Sequence, residues 1–153
     1  MKIVVQRVSR AEVRVEGKTV AKIGKGLVLL AAVERGDSER ELAKAADKCL
    51  NLRIFEDENG RLNLSALDLN LEILAISNFT VAGDTRKGRR PSFDKAERPE
   101  VAKEKFDRFV QLLRDSGLKV ETGEFRAIME VELVNHGPVT VIVHVPPETA
   151  AQK

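Results

Sequence analysis

Two short segments hold the residue types that chemistry needs. Ser77-Asn78-Phe79-Thr80 closes an apolar run and leads into Val81-Ala82-Gly83-Asp84-Thr85-Arg86-Lys87-Gly88-Arg89-Arg90-Pro91-Ser92-Phe93. Hydroxyls and an amide placed where a strand leaves the core can orient a substrate, with backbone N–H groups there free to stabilise an oxyanion. From residue chemistry alone, a polar strand end followed by a solvated basic loop accounts for the same letters. Yet Arg86, Lys87, Arg89 and Arg90 lie within five positions, offset locally by Asp84 and Asp94. A phosphate-bearing partner is the chemistry that such a patch fits. The second segment is Asn135-His136-Gly137-Pro138-Val139-Thr140. Glycine lacks a Cβ and proline fixes φ, so the segment can present carbonyl groups rigidly, and an X-Pro bond is where a cis peptide is tolerated. An ordinary hairpin turn is the plain alternative, and the isomer stays open.

Other chemistries lack their signatures. Neither GxGxxG nor GxxxxGK[ST] occurs, which leaves dinucleotide and P-loop phosphate sites without support. His136 and His144 are the only histidines, and Cys49 is the single cysteine, distant from both in sequence. A zinc site would have to be assembled mostly from carboxylates, so no metal and no cofactor are expected. GxSxG is missing too, and a Ser-His-Asp triad would depend on one of those two histidines. His144, in an alternating strand, reads as a satisfied or solvent-facing side chain, and His136 as a loop residue beside a candidate site.

The elements that must position these segments follow from periodicity. Ile3 to Val8 is a β-branched run ending at Ser9-Arg10, and Val13 to Ile23 alternates around Glu16-Gly17-Lys18, the pattern of a hairpin with one wet face. Leu27 to Val33 is apolar throughout, as for a central strand covered on both faces. Ser38-Glu39-Arg40-Glu41 has capping-box spacing, and Leu42, Ala45, Ala46, Cys49 and Leu50 form the buried stripe of a helix, Cys49 included as a small core residue. Leu52 to Phe55 predicts a short strand and Leu71 to Phe79 a long one. Thr80 to Arg98 predicts a long loop of functional or mobile character. Pro99 opens a second helix with Ala102, Phe106, Phe109, Val110 and Leu113 inward and Gly117 as its stop. Leu118 to Val120, Glu130 to Val134 and Val139 to Val145 predict three further strands. The expected fold is α+β: one domain over 1–145, with a curled, barrel-like antiparallel or mixed sheet and two packed helices, then a frayed tail over 146–153.

Composition narrows the function classes. The 153 residues carry 26 Lys plus Arg against 24 Asp plus Glu, a net charge of +2, so any nucleic-acid binding must come from a local patch. With no Trp or Tyr, an aromatic base-stacking platform is disfavoured. No apolar run approaches the length of a membrane span, and Gln6 and Arg7 interrupt the N-terminus too soon for a signal peptide, which makes the cytoplasm the expected location.

Taken together, Val4-Val5-Gln6-Arg7-Val8, Asn51-Leu52-Arg53-Ile54-Phe55, Ser77-Asn78-Phe79-Thr80, Lys87-Gly88-Arg89-Arg90-Pro91-Ser92-Phe93 and Asn135-His136-Gly137-Pro138-Val139-Thr140 resemble the D-aminoacyl-tRNA deacylase family in order and spacing. The resemblance covers nearly the whole chain. It implies hydrolysis of the ester between a D-amino acid, or glycine, and the 3′ end of tRNA, a proofreading reaction of translation. It also implies a homodimer in which a cis Gly-Pro dipeptide, here Gly137-Pro138, reaches into the partner subunit's active site. There, rigid carbonyls would hold the substrate's amino group and occupy the space of an L side chain, so that specificity comes from rejection. By the same resemblance, Ser77, Asn78, Phe79 and Thr80 line the pocket for the terminal adenosine and the ester, and Arg7 holds the dipeptide. Met129 matches a position near the pocket, although core packing explains it equally. Arg86, Lys87, Arg89 and Arg90 are the expected tRNA phosphate contacts. Two mechanisms compete: Thr80 as nucleophile, or a main-chain oxyanion hole at Phe79 and Thr80 with help from the RNA 2′-hydroxyl. The second is preferred because no base is evident. A non-catalytic RNA-binding module and a general Ser/Thr esterase are the rival readings. Three departures stand out: Asn78 where the family usually has Gln, His136 in place of a more usual Asp, and Arg126 where a small residue is common.

Overall fold

The computed structural model describes residues 1–148. Its scaffold is a fourteen-residue strand, β1 (Lys2–Val15), whose two edges are both paired. One edge is shared by β2 (Lys18–Ile23), folded back through a turn at Glu16-Gly17, and β3 (Gly26–Ala32). The other is taken along its length by β8 (Glu130–His144). Ser9-Arg10 does not end the first strand as expected; irregular register between Gln6 and Arg10 lets the strand bend and continue past these exposed residues.

From β3 the chain crosses over α1 (Glu39–Asn51) and a small hairpin of β4 (Phe55–Glu56) and β5 (Leu62–Leu64) to β6 (Glu72–Ser77), which pairs parallel to β3. A second crossover through α2 (Pro99–Arg114) delivers β7 (Val120–Thr122), parallel to β6. The order β2-β1-β3-β6-β7, with β8 outside β1, gives the curled, barrel-like mixed sheet with two helices that the patterning predicted. Boundaries moved where tertiary partners intervened. The strand expected at Leu52 to Phe55 is Phe55–Glu56, because Leu52 caps α1 and the Ile54 carbonyl is taken by Arg7. Pairing with β6 places the short seventh strand at Val120–Thr122 rather than Leu118 to Val120.

β3 is covered on both faces. Leu27, Leu29 and Ala31 face a core closed by Leu42, Ala45, Cys49 and Leu50 of α1 and Phe106, Phe109, Val110 and Leu113 of α2. Val28 faces a second core inside the curl with Val8, Ala11, Val13, Ala21, Ile23, Leu74 and Ile76. Cys49 is fully buried, and burial pushes its thiol up to about 12, which makes it a packing residue. The Met1 ammonium is buried between Asp37 (2.7 Å) and Glu34 (3.1 Å) and donates to the Val145 carbonyl (2.6 Å). Of the tail expected to fray, Pro147 is buried and the Glu148 N–H donates to Glu41, while 149–153 lies outside the described residues.

Glu41 is the residue most exposed to a pH test. Burial pushes its carboxyl up, but hydrogen bonds from the Ser38 hydroxyl and from the backbone N–H groups of Glu148 and Ser38 outweigh this and pull it down to about 2. A depressed folded-state value adds stability above the ordinary value of 4.5, and that stability is lost as pH falls toward 2. At ~1.4 kcal/mol per unit, the contribution is about 3 kcal/mol. Glu41→Gln is therefore expected to lower urea-unfolding stability by about 2–3 kcal/mol at pH 7 and by almost nothing near pH 2. An equal loss at both pH values would contradict this account.

Candidate active site

β6 carries Ser77 to the rim of the sheet, where it pairs with Ala31 of β3. The next residue, Asn78, donates its N–H to the Ala31 carbonyl (2.8 Å) and fixes the exit direction of the chain. There the strand gives way, earlier than expected, to a short 3₁₀ turn over Phe79–Ala82. The turn is closed by bonds from the Val81 N–H to the Asn78 carbonyl (3.2 Å) and from the Gly83 N–H to the Thr80 carbonyl (2.9 Å). The N–H groups of Phe79 and Thr80 open it and donate to no atom among the described residues, as befits the first N–H groups of a helical turn. Phe79 is 57% exposed and Thr80 is exposed, so the turn that carries these donors lies at the surface. The Thr80 hydroxyl donates to Asn78 Oδ1 at 2.6 Å. Its proton is thereby committed to an amide rather than to a base.

The long segment after the turn is better anchored than a loop reading implies. Asp84 and Ser92 exchange backbone hydrogen bonds (2.7 and 2.8 Å), Arg35 N–H donates to the Lys95 carbonyl, and Glu97 N–H donates to the Val33 carbonyl. Phe93 packs edge-on against Phe79 with ring centroids 5.3 Å apart, a support that reading Phe79 by itself missed. Phe93 was visible only as the aromatic that ends the basic motif. Of the four basic residues, Arg86 is engaged: its guanidinium donates three times to Asp84 and helps hold that carboxyl down at about 2. Lys87, Arg89 and Arg90 are exposed on the tip.

The largest departure concerns Asn135 to Thr140. Periodicity predicts Glu130 to Val134 and Val139 to Val145 as two separate strands flanking this segment. They are one strand, β8, and both halves pair with β1. Val8 lies opposite Asn135 and Gln6 opposite Thr140, so His136 to Val139 bulge out across from Arg7 alone. Gly137-Pro138 is cis, with Gly137 at φ +139°. Arg7, 5% exposed, donates from Nε to the His136 carbonyl (2.8 Å) and from Nη1 to the Ile54 carbonyl (3.0 Å). Asn135 clasps the other side of the bulge, accepting from the Val139 N–H (2.8 Å) and donating to Thr140 Oγ1 (2.9 Å). His136 is exposed, and its carbonyl rather than its ring is what Arg7 grips.

Register keeps the two candidate segments apart within one chain. Ser77 lies level with Ala31, Ile3 and Val143, whereas the bulge lies level with Arg7, Leu27 and Ile73. Four residues along the strands amount to about 13 Å, and two strands intervene sideways. Met129 is half-buried against the second core, its sulfur lying on Gly123, and Arg126 adopts φ +65° in the turn before β8. A cleft of about 460 Å³ opens behind the bulge, lined by Arg7, Lys25, Phe55, Glu56, Asp57 and His136 among others, and includes none of Ser77 to Thr80. His144 is bonded to Glu34 (2.8 Å), and β1 and β3 lie between its strand and β6. No cluster of His, Cys, Asp and Glu suited to a metal occurs among the described residues.

Comparison with known proteins adds an independent line. The family model described as D-Tyr-tRNA(Tyr) deacylase matches residues 4–144. The D-aminoacyl-tRNA deacylase of Carboxydothermus hydrogenoformans is 55% identical over 145 residues, covering 95% of this chain and 100% of that protein. That of Thermosipho africanus is 52% identical over 143 residues, 94% of this chain and 96% of the relative. Among solved structures, the c-Myc DNA unwinding element binding protein superposes with a TM-score of 0.90 at 39% identity, covering 95% of this chain and 99% of that one. A probable eukaryotic D-amino acid tRNA deacylase shares the fold with a TM-score of 0.81 at 18% identity, covering 93% and 97% of the two chains.

Proposed function

The chain belongs to the D-Tyr-tRNA(Tyr) deacylase family, and from that premise we propose that it hydrolyses the ester joining a D-amino acid, or glycine, to the 3′ end of tRNA in the cytoplasm. The observation that carries the chemistry is the pair of N–H groups at Phe79 and Thr80, which donate to no atom among the described residues and open an exposed turn at a strand end. Such donors stabilise the oxygen that becomes negative when water adds to the ester carbonyl. The water oxygen bonds to the carbonyl carbon, the ester C–O bond breaks, and the water's proton passes to the leaving 3′-oxygen, with the neighbouring RNA 2′-hydroxyl as relay. Thr80 orients rather than attacks, since its hydroxyl proton is given to Asn78 and no basic side chain touches it.

Chirality is read by Gly137-Pro138 of a second copy. Two features support this: the bulge lies four residues, about 13 Å, along the strands from its own Ser77, which leads into Thr80, and β8 is an edge strand whose exposed Val131, Val134 and Ile142 suit burial against another chain. The bulge's main-chain carbonyls meet the substrate's amino group and leave an L side chain no room. A D side chain, or glycine's hydrogen, escapes the clash. No helix among the described residues is long and apolar enough to cross a membrane.

The direct test compares D-Tyr-tRNA with L-Tyr-tRNA: the first is expected to be hydrolysed and the second spared. Equal rates on both, or none on either by folded protein, overturns the reading; tRNA binding without product release would favour a non-catalytic RNA-binding module. Thr80→Ala is expected to retain activity within about tenfold, a loss of up to ~1.4 kcal/mol in transition-state stabilisation, and to leave no covalent acyl-enzyme to trap. Complete loss would restore Thr80 as nucleophile.

A further inference from the structure

The exposed side of α1 sorts its charges. Arg40, Lys44 and Lys48 recur every four residues and form one stripe, spaced about 6 Å apart along the axis. The acidic residues lie on the neighbouring stripe and are occupied: Glu39 pairs with Arg108 of α2 (2.7 Å), and Asp47 accepts from Asn51 (3.1 Å). Glu41, beneath the stripe, is buried and spends its charge on Ser38 and on the N–H of Glu148, with Arg40 only grazing it at 3.5 Å. Lys44 and Lys48 have no carboxylate within salt-bridge distance among the described residues. A groove of about 200 Å³ runs beside them, lined by Arg40, Lys44, Lys48, His144, Pro146 and Glu148, the last its one carboxylate, together with Val145.

The position of the groove matters as much as its charge. α1 follows directly on β3, whose end is level with Ser77. His144, in the groove, is level with Lys2 and Ala32 on the same rim of the sheet. The basic tip carrying Lys87, Arg89 and Arg90 belongs to the segment tied back to Val33 and Arg35, the connection between β3 and α1. Two cationic features therefore flank one rim of the sheet, the rim where Phe79 and Thr80 present their N–H groups, on a protein whose net charge is only +2.

We propose that the Arg40-Lys44-Lys48 face of α1 carries the phosphate backbone of the tRNA acceptor arm as it leads away from the ester. The proposal rests on the deacylase reading above. Three cations at helical four-residue spacing match consecutive phosphates of one RNA strand, and contacts of this kind position a substrate without reading its sequence. Binding through them releases condensed counterions, so it must weaken steeply with salt.

The test uses the full chain and a variant with Arg40→Gln, Lys44→Gln and Lys48→Gln together, all exposed positions. Three probes are measured: binding of uncharged tRNA across 50–300 mM salt, a range spanning roughly physiological ionic strength, hydrolysis of D-Tyr-tRNA, and hydrolysis of the D-tyrosyl ester of adenosine. The variant is expected to bind uncharged tRNA about 10- to 100-fold more weakly, with the log–log salt slope reduced by about 2–3. KM for D-Tyr-tRNA should rise in step with kcat held, and the loss should not extend to the adenosine ester, which has no acceptor arm. Unchanged tRNA affinity and slope overturn the proposal, and so does an equal loss on the adenosine ester, which would mark a general structural effect. Failure of the deacylase reading shows separately, as wild-type protein that hydrolyses neither ester, while the salt slope still decides whether this face binds RNA.

Discussion

Arg7→Met is expected to lower hydrolysis of D-Tyr-tRNA about 100-fold, equivalent to ~2.7 kcal/mol, and to cut the D-over-L preference at least tenfold. Methionine keeps the apolar stem but removes both donors. The His136 and Ile54 carbonyls then lose a charged partner, each such bond being worth about 1.5–3 kcal/mol. Asn135 holds the Val139 end of the bulge, but the His136 end is held by Arg7, so without this side chain the carbonyls at His136 and Gly137 lose their anchor while the flanking halves of β8 stay paired with β1. Gly137→Ala should act in the same direction from the other side. A Cβ there would lie 2.8 Å from Val139 Cγ2 and 3.0 Å from Arg7 Nη2, at a φ of +139° that alanine resists. Kinetics on both tRNA enantiomers, with far-UV circular dichroism to confirm folding, checks the pair. If Arg7→Met keeps full D-over-L selectivity, the bulge is not the chiral filter.

Gly26→Ala is expected to destabilise the protein by more than about 4 kcal/mol and to yield little folded chain. Gly26 pairs with Glu72 where β3 meets β6, and an added Cβ would fall 1.8 Å from the Glu72 carbonyl oxygen, a backbone atom that cannot swing aside. Separation of the two strands there would disturb the parallel register that carries Ser77 to the rim, as well as both cores packed on β3. Gly17→Ala is the matched control. It sits at φ +78° with open space around its Cβ, so strain alone applies and about 1 kcal/mol is expected. Urea unfolding of the two variants separates close approach from backbone strain, and a Gly26→Ala loss no larger than that of Gly17→Ala would refute the packing argument.

Both variants mark the boundary between what is local in this protein and what is not. The helices were legible because their information is local: Ser38 and Glu41 cap one end of α1, the stripe Leu42 to Leu50 is buried as its spacing predicts, and Pro99 and Gly117 bracket α2 and its exit. The same holds for the hairpin at Glu16-Gly17 and for the continuous apolar run of β3. The candidate site residues stand out in the sequence as ordered motifs at Arg7, Ser77 to Thr80 and Gly137-Pro138, and with only two histidines the chain offers few side-chain bases beside them.

Partnership is what tertiary structure decided. Asn-His-Gly-Pro has the same local preferences in a hairpin turn as in a bulge. Only β1, long enough to pair with both flanking halves, makes it a bulge. Four cations near Thr80 look equivalent in sequence, yet Asp84 folds back on Arg86 and leaves three. Arg40, Lys44 and Lys48 share a stripe by helical spacing alone, but only the tertiary structure brings that stripe beside His144, Val145 and Pro146 at the end of β8. Register, likewise invisible in a single chain's letters, separates Gly137 from Thr80. Hydrophobic periodicity encodes which face of an element is buried, but which atoms then meet depends on strand order and register, and those are set by the packing of the whole chain.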